Sequence, residues 1–263
     1  VFAALAQRII HAHRHQQPFK AIIVAPLQPA FEAPLEKPEA ATCRLLMQAQ
    51  DNALTGLPTS VFAQRQIRGI PDPLEYVQVV SLRKCGRLEG RLVSEQIYVH
   101  SKLMIVDDRV AFIGSANLND RSLLGARDSE IGVVVEASDI CGKVKELRVR
   151  LMAEHLGWDC KDERLQVFTP MLYNTIKEQS TKNTLAYRHL FHCLPDDTVT
   201  TWAEYTQASS SPKALENLTP DQFTAYQEIR GHLVQFPLHY LHKEDLTASV
   251  LSKEFLLPIE IFL

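Results

Sequence analysis

The stretch IYVHSKLMIVDDRVAFIGSANLNDRS, residues 97–122, decides the fold of this chain. Leu103 to Val106 and Val110 to Ile113 are short apolar, β-branched runs on either side of Asp107-Asp108-Arg109, whose composition is that of a turn. The stretch therefore reads as strand, turn, strand, with Gly114-Ser115-Ala116-Asn117 at the end of the second strand. A further strand is expected from Gln96 to His100. Lys102 lies two residues beyond His100, and strand alternation would send both side chains to one face. An imidazole and an ammonium beside a small hydroxyl and an amide are the groups that grip a phosphate and attack its phosphorus.

Working outward, apolar residues at helical spacing (Phe2, Leu5, Ile9, Ile10) predict a helix from Val1 to about His15. Pro18 ends it, and Lys20 to Pro26 reads as a buried strand. A loop dotted with Pro26, Pro29, Pro34 and Pro38 leads to a helix near Ala41 to Ala49, and a second helix is expected from Ser60 to Arg68. Glu75 to Leu82 reads as a strand ending in a charged loop, Arg83 to Arg91. Ile131 to Val135 is the next buried strand, and Cys141 to Leu156 has the pattern of a long amphipathic helix closed by Gly157. The alternation predicts an α/β layered domain, a mixed sheet flanked by helices. Beyond Gly157 the composition changes: Lys177 to Lys182 is polar, Ser209 to Pro212 reads as a linker, and Leu185 to Cys193 and Ile229 to Tyr240 look like short pieces around Pro195 and Pro237. The expected division is a catalytic unit over 1–159 and an α-rich C-terminal appendage over 160–263 packed on it.

With 263 residues the chain can bury a sizeable core, and 28 basic against 31 acidic side chains leave a net charge of −3. No global positive field draws it to nucleic acid or an anionic bilayer. Five cysteines, Cys43, Cys85, Cys141, Cys160 and Cys193, carry no paired spacing and read as reduced thiols of a cytosolic protein. No apolar run approaches the ~18 residues of a membrane span, so any membrane contact is expected to be peripheral. The chain opens on Val1 in what reads as mid-helix, the expectation for a piece of a longer protein.

A histidine that titrates near neutrality needs a carboxylate to fix its tautomer. The candidates are Asp107, Asp128 and Glu130. Asp107 falls at the turn and on the opposite parity to Lys102, so its ordinary role is structural. His11, His13 and His15 alternate along a helix, which scatters their side chains and argues against a metal site; no metal or cofactor is expected. Arg83, Lys84, Arg87 and Arg91 read ordinarily as a solvated face, with a lipid headgroup or phosphoinositide contact as the alternative.

The spacing His100-x-Lys102-x4-Asp107-x6-Gly114-Ser115-x-Asn117 resembles the second signature motif of the phospholipase D superfamily, with every fixed position filled. PFKAIIVAPLQPAFE, YVQVVSLR, LEGRLVSEQIYVHSK, GSANLNDRSLLGARDSE, FHCLPDD and IRGHLVQFPLHYL are similar, in that order, to segments of the C-terminal half of eukaryotic phosphatidylcholine-hydrolysing members. The resemblance implies phosphodiester hydrolysis or transphosphatidylation through a phosphohistidine. His100 would be the acid and then the base, and Lys102, Ser115, Asn117 and Ser122 would bind phosphate oxygens. Glu130 is the preferred orienting carboxylate on that likeness, ahead of Asp128. The family uses two such motifs, and only one is found here. Either an N-terminal half precedes this chain, the favoured reading, or two copies pair about a two-fold axis. The end, PIEIFL, is apolar and acidic as in the family but lacks its usual aromatic-then-Thr finish, so a role for Glu260 rests on the likeness alone. A non-catalytic phosphate-binding fragment and a nucleic-acid phosphodiesterase are the competing readings; the net charge and lack of a basic groove weigh against the second.

Overall fold

The computed structural model describes residues 2–29, 33–56, 69–70, 72–136, 142–208, 213–214 and 217–247. The elements are α1 (Phe2–Arg14), β1 (Ala21–Val24), α2 (Ala41–Asp51), β2 (Val77–Leu88), β3 (Arg91–Gln96), β4 (Leu103–Val106), β5 (Val110–Gly114), α3 (Asp120–Leu123), β6 (Gly132–Glu136), α4 (Lys143–Leu156), α5 (Pro170–Phe191), α6 (Trp202–Gln207), β7 (Lys213–Ala214), α7 (Pro220–Glu228) and β8 (Leu233–Gln235). The expected helix over 60–68, the linker over 209–212 and the apolar C-terminus lie outside the described residues.

Strand β2 organises the main sheet. Its first half is paired in parallel with β1, from Ala21 opposite Val77 to Val24 opposite Val80, and antiparallel with β8 at Val80 to Leu82. Its second half forms an antiparallel hairpin with β3, which in turn pairs with β7. Alternation along β2 divides the core. Val77 and Val79 pack with Ile9 and Ile10 of α1, while Val80 and Leu82 pack with Val149, Ala153 and Leu156 of α4 and Leu172 and Ile176 of α5. Helices thus cover both faces of a mixed sheet, an α/β fold.

Two expectations are corrected. Arg83 to Arg91 is not a loop: β2 runs on to Leu88, and Arg83 lies inside the fold, 5% exposed, donating to Leu194 O at 2.7 Å. The expected strand Gln96 to His100 is a connection instead, because β3 ends at Gln96. Described residues after 159 contribute to the same sheet and core as those before it. Strand β8 belongs to the main sheet, and Leu165, Leu172, Ile176 and Leu233 share a core with Val80 and Val149. Polar Lys177 to Lys182 lies within the 22-residue helix α5.

A second sheet is the antiparallel meander β4-β5-β6. Asp107 and Asp108 both have positive φ, and Arg109 N–H closes on Val106 O at 3.0 Å, the tight turn that joins β4 to β5. At the far end Gly114 lies opposite Gly132, with the Phe112 ring over both. A Cβ on Gly132 would come within 2.4 Å of that ring, and one on Gly114 within 2.6 Å of Ile131 O, so both positions require glycine. The strand at Ile131 to Val135 forms as expected but is not buried: Ile131, Val133 and Val134 are exposed.

Candidate active site

The site lies at the end of the meander remote from the turn. Gly114 N–H donates to Lys102 O at 3.1 Å, which extends the β4–β5 register by one residue and sets the His100–Lys102 connection beside Gly114 and Ser115. His100, Ser101, Lys102, Leu103, Ile113, Gly114, Ser115 and Asn117, with Leu147 of α4, line one cleft of about 690 Å³. His100, Ser115 and Asn117 are exposed in it. The Lys102 ammonium donates to His100 O at 2.7 Å, leaving two of its three donor directions for a ligand.

Behind this wall stands a hydroxyl–carboxylate cluster. Ser115 Oγ donates to one Glu130 oxygen, and Ser122 Oγ donates to the other at 2.5 Å. Ser115 Oγ also accepts Ile131 N–H at 3.0 Å, and Ser122 Oγ accepts Asn117 N–H at 3.0 Å. The close approach of Ser115 to Ile131 is what Gly114 permits. The two hydroxyl donors hold the Glu130 carboxyl below the usual carboxylate range, and the Lys102 charge adds to this.

Four of the expected site residues, His100, Lys102, Ser115 and Asn117, meet in the cleft; Ser122 and Glu130 attach to it through Ser115 and Asn117. Asp107 does not join them. It is exposed at the hairpin turn, five residues along the chain from Lys102 and therefore roughly 16 Å from it. Among the described residues neither candidate acid reaches the imidazole. The Glu130 oxygens are taken by the two serines, and Asp128 pairs with Arg121 at 2.9 Å.

The neighbouring Asp108, a turn residue by composition, is the one drawn inward. It forms a two-pronged ion pair with Arg148 of α4, whose third donor reaches Leu165 O at 2.8 Å. This pair ties the hairpin turn to the helix that supplies Leu147 to the cleft. The signal for it was Arg148 itself, a charged residue on the apolar face of α4 beside Val144 and Val149.

The phospholipase D family model matches residues 79–197, a span that contains every residue lining the cleft. Phospholipase D zeta 2 of Arabidopsis thaliana is 36% identical over 100% of this chain. The chain belongs to the phospholipase D family. Human phospholipase D1 is 34% identical over 98% of the chain, and phospholipase D1 of Saccharomyces cerevisiae is 37% identical over 72% of it. The chain spans 28% of the Arabidopsis relative and 26% of the human one, about a quarter of their length. The matched span crosses the expected boundary at residue 159.

Proposed function

We propose that this phospholipase D family chain supplies the second-motif half of an active site that cleaves phosphatidylcholine to phosphatidic acid and choline. The observation that carries the reading is the meeting of His100, Lys102, Ser115 and Asn117 in one open cleft. Lys102 and the Asn117 amide hold the non-bridging phosphate oxygens, offsetting the charge that repels a nucleophile. The His100 imidazolium gives its proton to the choline oxygen as the P–O bond breaks, and a histidine of the other half takes up the phosphatidyl group. Neutral His100 then removes a proton from water, whose oxygen displaces that histidine from phosphorus. Transphosphatidylation substitutes an alcohol for the water. Asp107 takes no part in this scheme.

The other half has a place to dock. Ile113 and Val133, opposite each other on the face of the meander that carries the cleft-lining Leu103, leave with Ile131 an exposed apolar surface of the kind a partner covers, while Met104, Val106 and Val134 are exposed on the other face. The favoured partner is an N-terminal half bearing its own His-x-Lys motif. A second copy of this chain, forming a homodimeric phosphodiesterase, is the alternative the same surface allows. No helix among the described residues is long and apolar enough to cross a membrane, and the proposed contact with phospholipid is peripheral. Exposed Lys84, Arg87 and Arg91 on the β2–β3 hairpin are the groups available for a phosphoinositide activator.

The test measures choline release from phosphatidylcholine vesicles by the chain alone and with a family N-terminal half. Activity is expected only with the second half, and it should vanish in His100→Ala and fall steeply in Lys102→Arg, because a planar fork does not replace a compact ammonium. Full turnover by His100→Ala would remove the assignment, and turnover by the chain alone that rises with the square of its concentration would favour the two-copy alternative.

A further inference from the structure

His100 is carried on a segment that neither adjoining strand holds. Ile97 N–H bonds Leu82 O at 2.9 Å and Lys102 O accepts Gly114 N–H at 3.1 Å, so the connection is pinned at its two ends. Between them, among the described residues, the N–H groups of Val99, His100 and Ser101 make no hydrogen bond. A general acid needs its ring held to a fraction of an ångström, and here the backbone ladder does not supply that. Something else must.

The side chain placed to do so is Tyr98. Its hydroxyl donates to Pro29 O at 2.9 Å, a tie across the chain to the loop that follows β1. Its ring lies beside the imidazole of His100, with centroids 6.3 Å apart and planes at 29°, within the range of an offset aromatic pair. One end of Tyr98 is therefore anchored to the main sheet's loop and the other flanks the reactive ring. Lys102 adds a second tie by donating to His100 O.

We propose that Tyr98 is a positioning residue that sets the orientation of the His100 imidazole for proton transfer. It does not line the cleft, so it acts through His100 and not on the substrate. The proposal rests on the phospholipase D reading of His100, and the two are tested by separate measurements.

The first measurement needs no turnover. The ring resonances of His100 are followed by NMR in the full chain carrying labelled histidine, with His100→Gln for assignment, across pH 5 to 9. Tyr98→Phe keeps the ring and removes the tie to Pro29; Tyr98→Leu removes both. Each variant should shift and broaden the His100 resonances, Tyr98→Leu more, while the other histidines stay in place. The second measurement is choline release with the complementary half. The expected pattern is a fall in kcat of about fivefold for Tyr98→Phe, the worth of one hydrogen bond, and of about a hundredfold for Tyr98→Leu, with KM within twofold. A purely structural tyrosine would leave the His100 resonances and the kcat-to-KM pattern unmoved, and that result in Tyr98→Phe would overturn the proposal. If the resonances move but the wild-type pair of halves releases no choline, the phospholipase reading fails and the positioning role stands.

Discussion

Arg148 grips Asp108 through two parallel hydrogen bonds, Nε to Oδ1 at 2.5 Å and Nη2 to Oδ2 at 2.8 Å. The Arg148 side chain is 8% exposed and that of Asp108 22%, so removing the carboxylate strands a positive charge that water barely reaches. Breaking a fully buried pair in this way costs about 3–5 kcal/mol, and the remaining exposure of Asp108 lowers the expectation to about 2–3 kcal/mol. Asp108→Asn retains a residue that tolerates the left-handed backbone, which isolates the loss of charge. Asp107→Asn, on the exposed side of the same turn, should cost less than about 0.5 kcal/mol. Urea unfolding of both variants checks the contrast, and equal losses would mean that the turn, not the ion pair, carries the energy.

The serines around Glu130 make a prediction about its acidity. Each hydroxyl proton points at a carboxylate oxygen and stabilises the ionised form, so in the folded chain Glu130 should lose its proton below the ordinary value of 4.5. Ser115→Ala should move the titration upward, and Ser122→Ala should do the same with a smaller step, following the order of the two contributions. Carboxyl-carbon NMR of labelled glutamate reads this directly. A Glu130 titration unchanged in Ser115→Ala would show that the hydroxyl proton points elsewhere, toward Ile131 O, which lies at 3.3 Å.

Much of this architecture was legible in the sequence because it rests on local signals. The β4–β5 hairpin is two apolar runs around turn residues, α4 ends where Gly157 adopts positive φ, and the motif spacing brings His100, Lys102, Ser115 and Asn117 to one cleft. What escaped depends on distant partners. Lys177 to Lys182 reads only as polar, yet the next residue, buried Asn183, donates to Arg230 O and Leu233 O, each at 2.7 Å, and accepts Arg230 N–H at 3.1 Å. Those bonds satisfy the backbone leading into β8, a requirement set some fifty residues away along the chain and invisible to periodicity. Arg83 reads as the start of a loop for the same reason: its partner Leu194 O is 111 residues distant. The partners of Glu130 are of the same kind, since its oxygens accept from Ser115 and Ser122, fifteen and eight residues away.

The crossing of α4 with the entry to β8 predicts an intolerant glycine. A Cβ on Gly231 would sit 2.1 Å from His155 O and 2.5 Å from the Leu156 carbonyl carbon, both backbone atoms that cannot swing aside, and its φ of +59° already disfavours a side chain. Gly231→Ala should cost about 3 kcal/mol or more, by prying β8 from the helix end. Gly125→Ala has a similar φ of +74° but nothing within 4 Å, so only the backbone penalty of about 1–2 kcal/mol applies. Thermal unfolding of the two variants separates clash from conformational strain, and equal shifts would show that the crossing can relax.

The same crossing gives the fold a dependence on pH. His155 closes α4 with its Nδ1 buried and unpartnered among the described residues, and the Nδ1 of His232, whose N–H bonds His155 O at 2.8 Å, is in the same condition. Burial holds the His155 pKa below its ordinary 6.5; the charge of Glu154 opposes that shift and His232 adds to it. The folded chain therefore prefers neutral His155, whereas the unfolded chain takes up a proton near 6.5. Between the unfolded value and the lower folded one the unfolded state binds more protons, so this contribution is complete above about pH 6.5 and is lost as pH falls below it. Melting temperature should drop between pH 7.5 and 5.5, and the drop should shrink in His155→Gln, which stays neutral throughout. A variant that melts with the wild-type slope over that range would show that His155 finds room to carry its charge in the folded protein, through solvent access or a closer approach of Glu154.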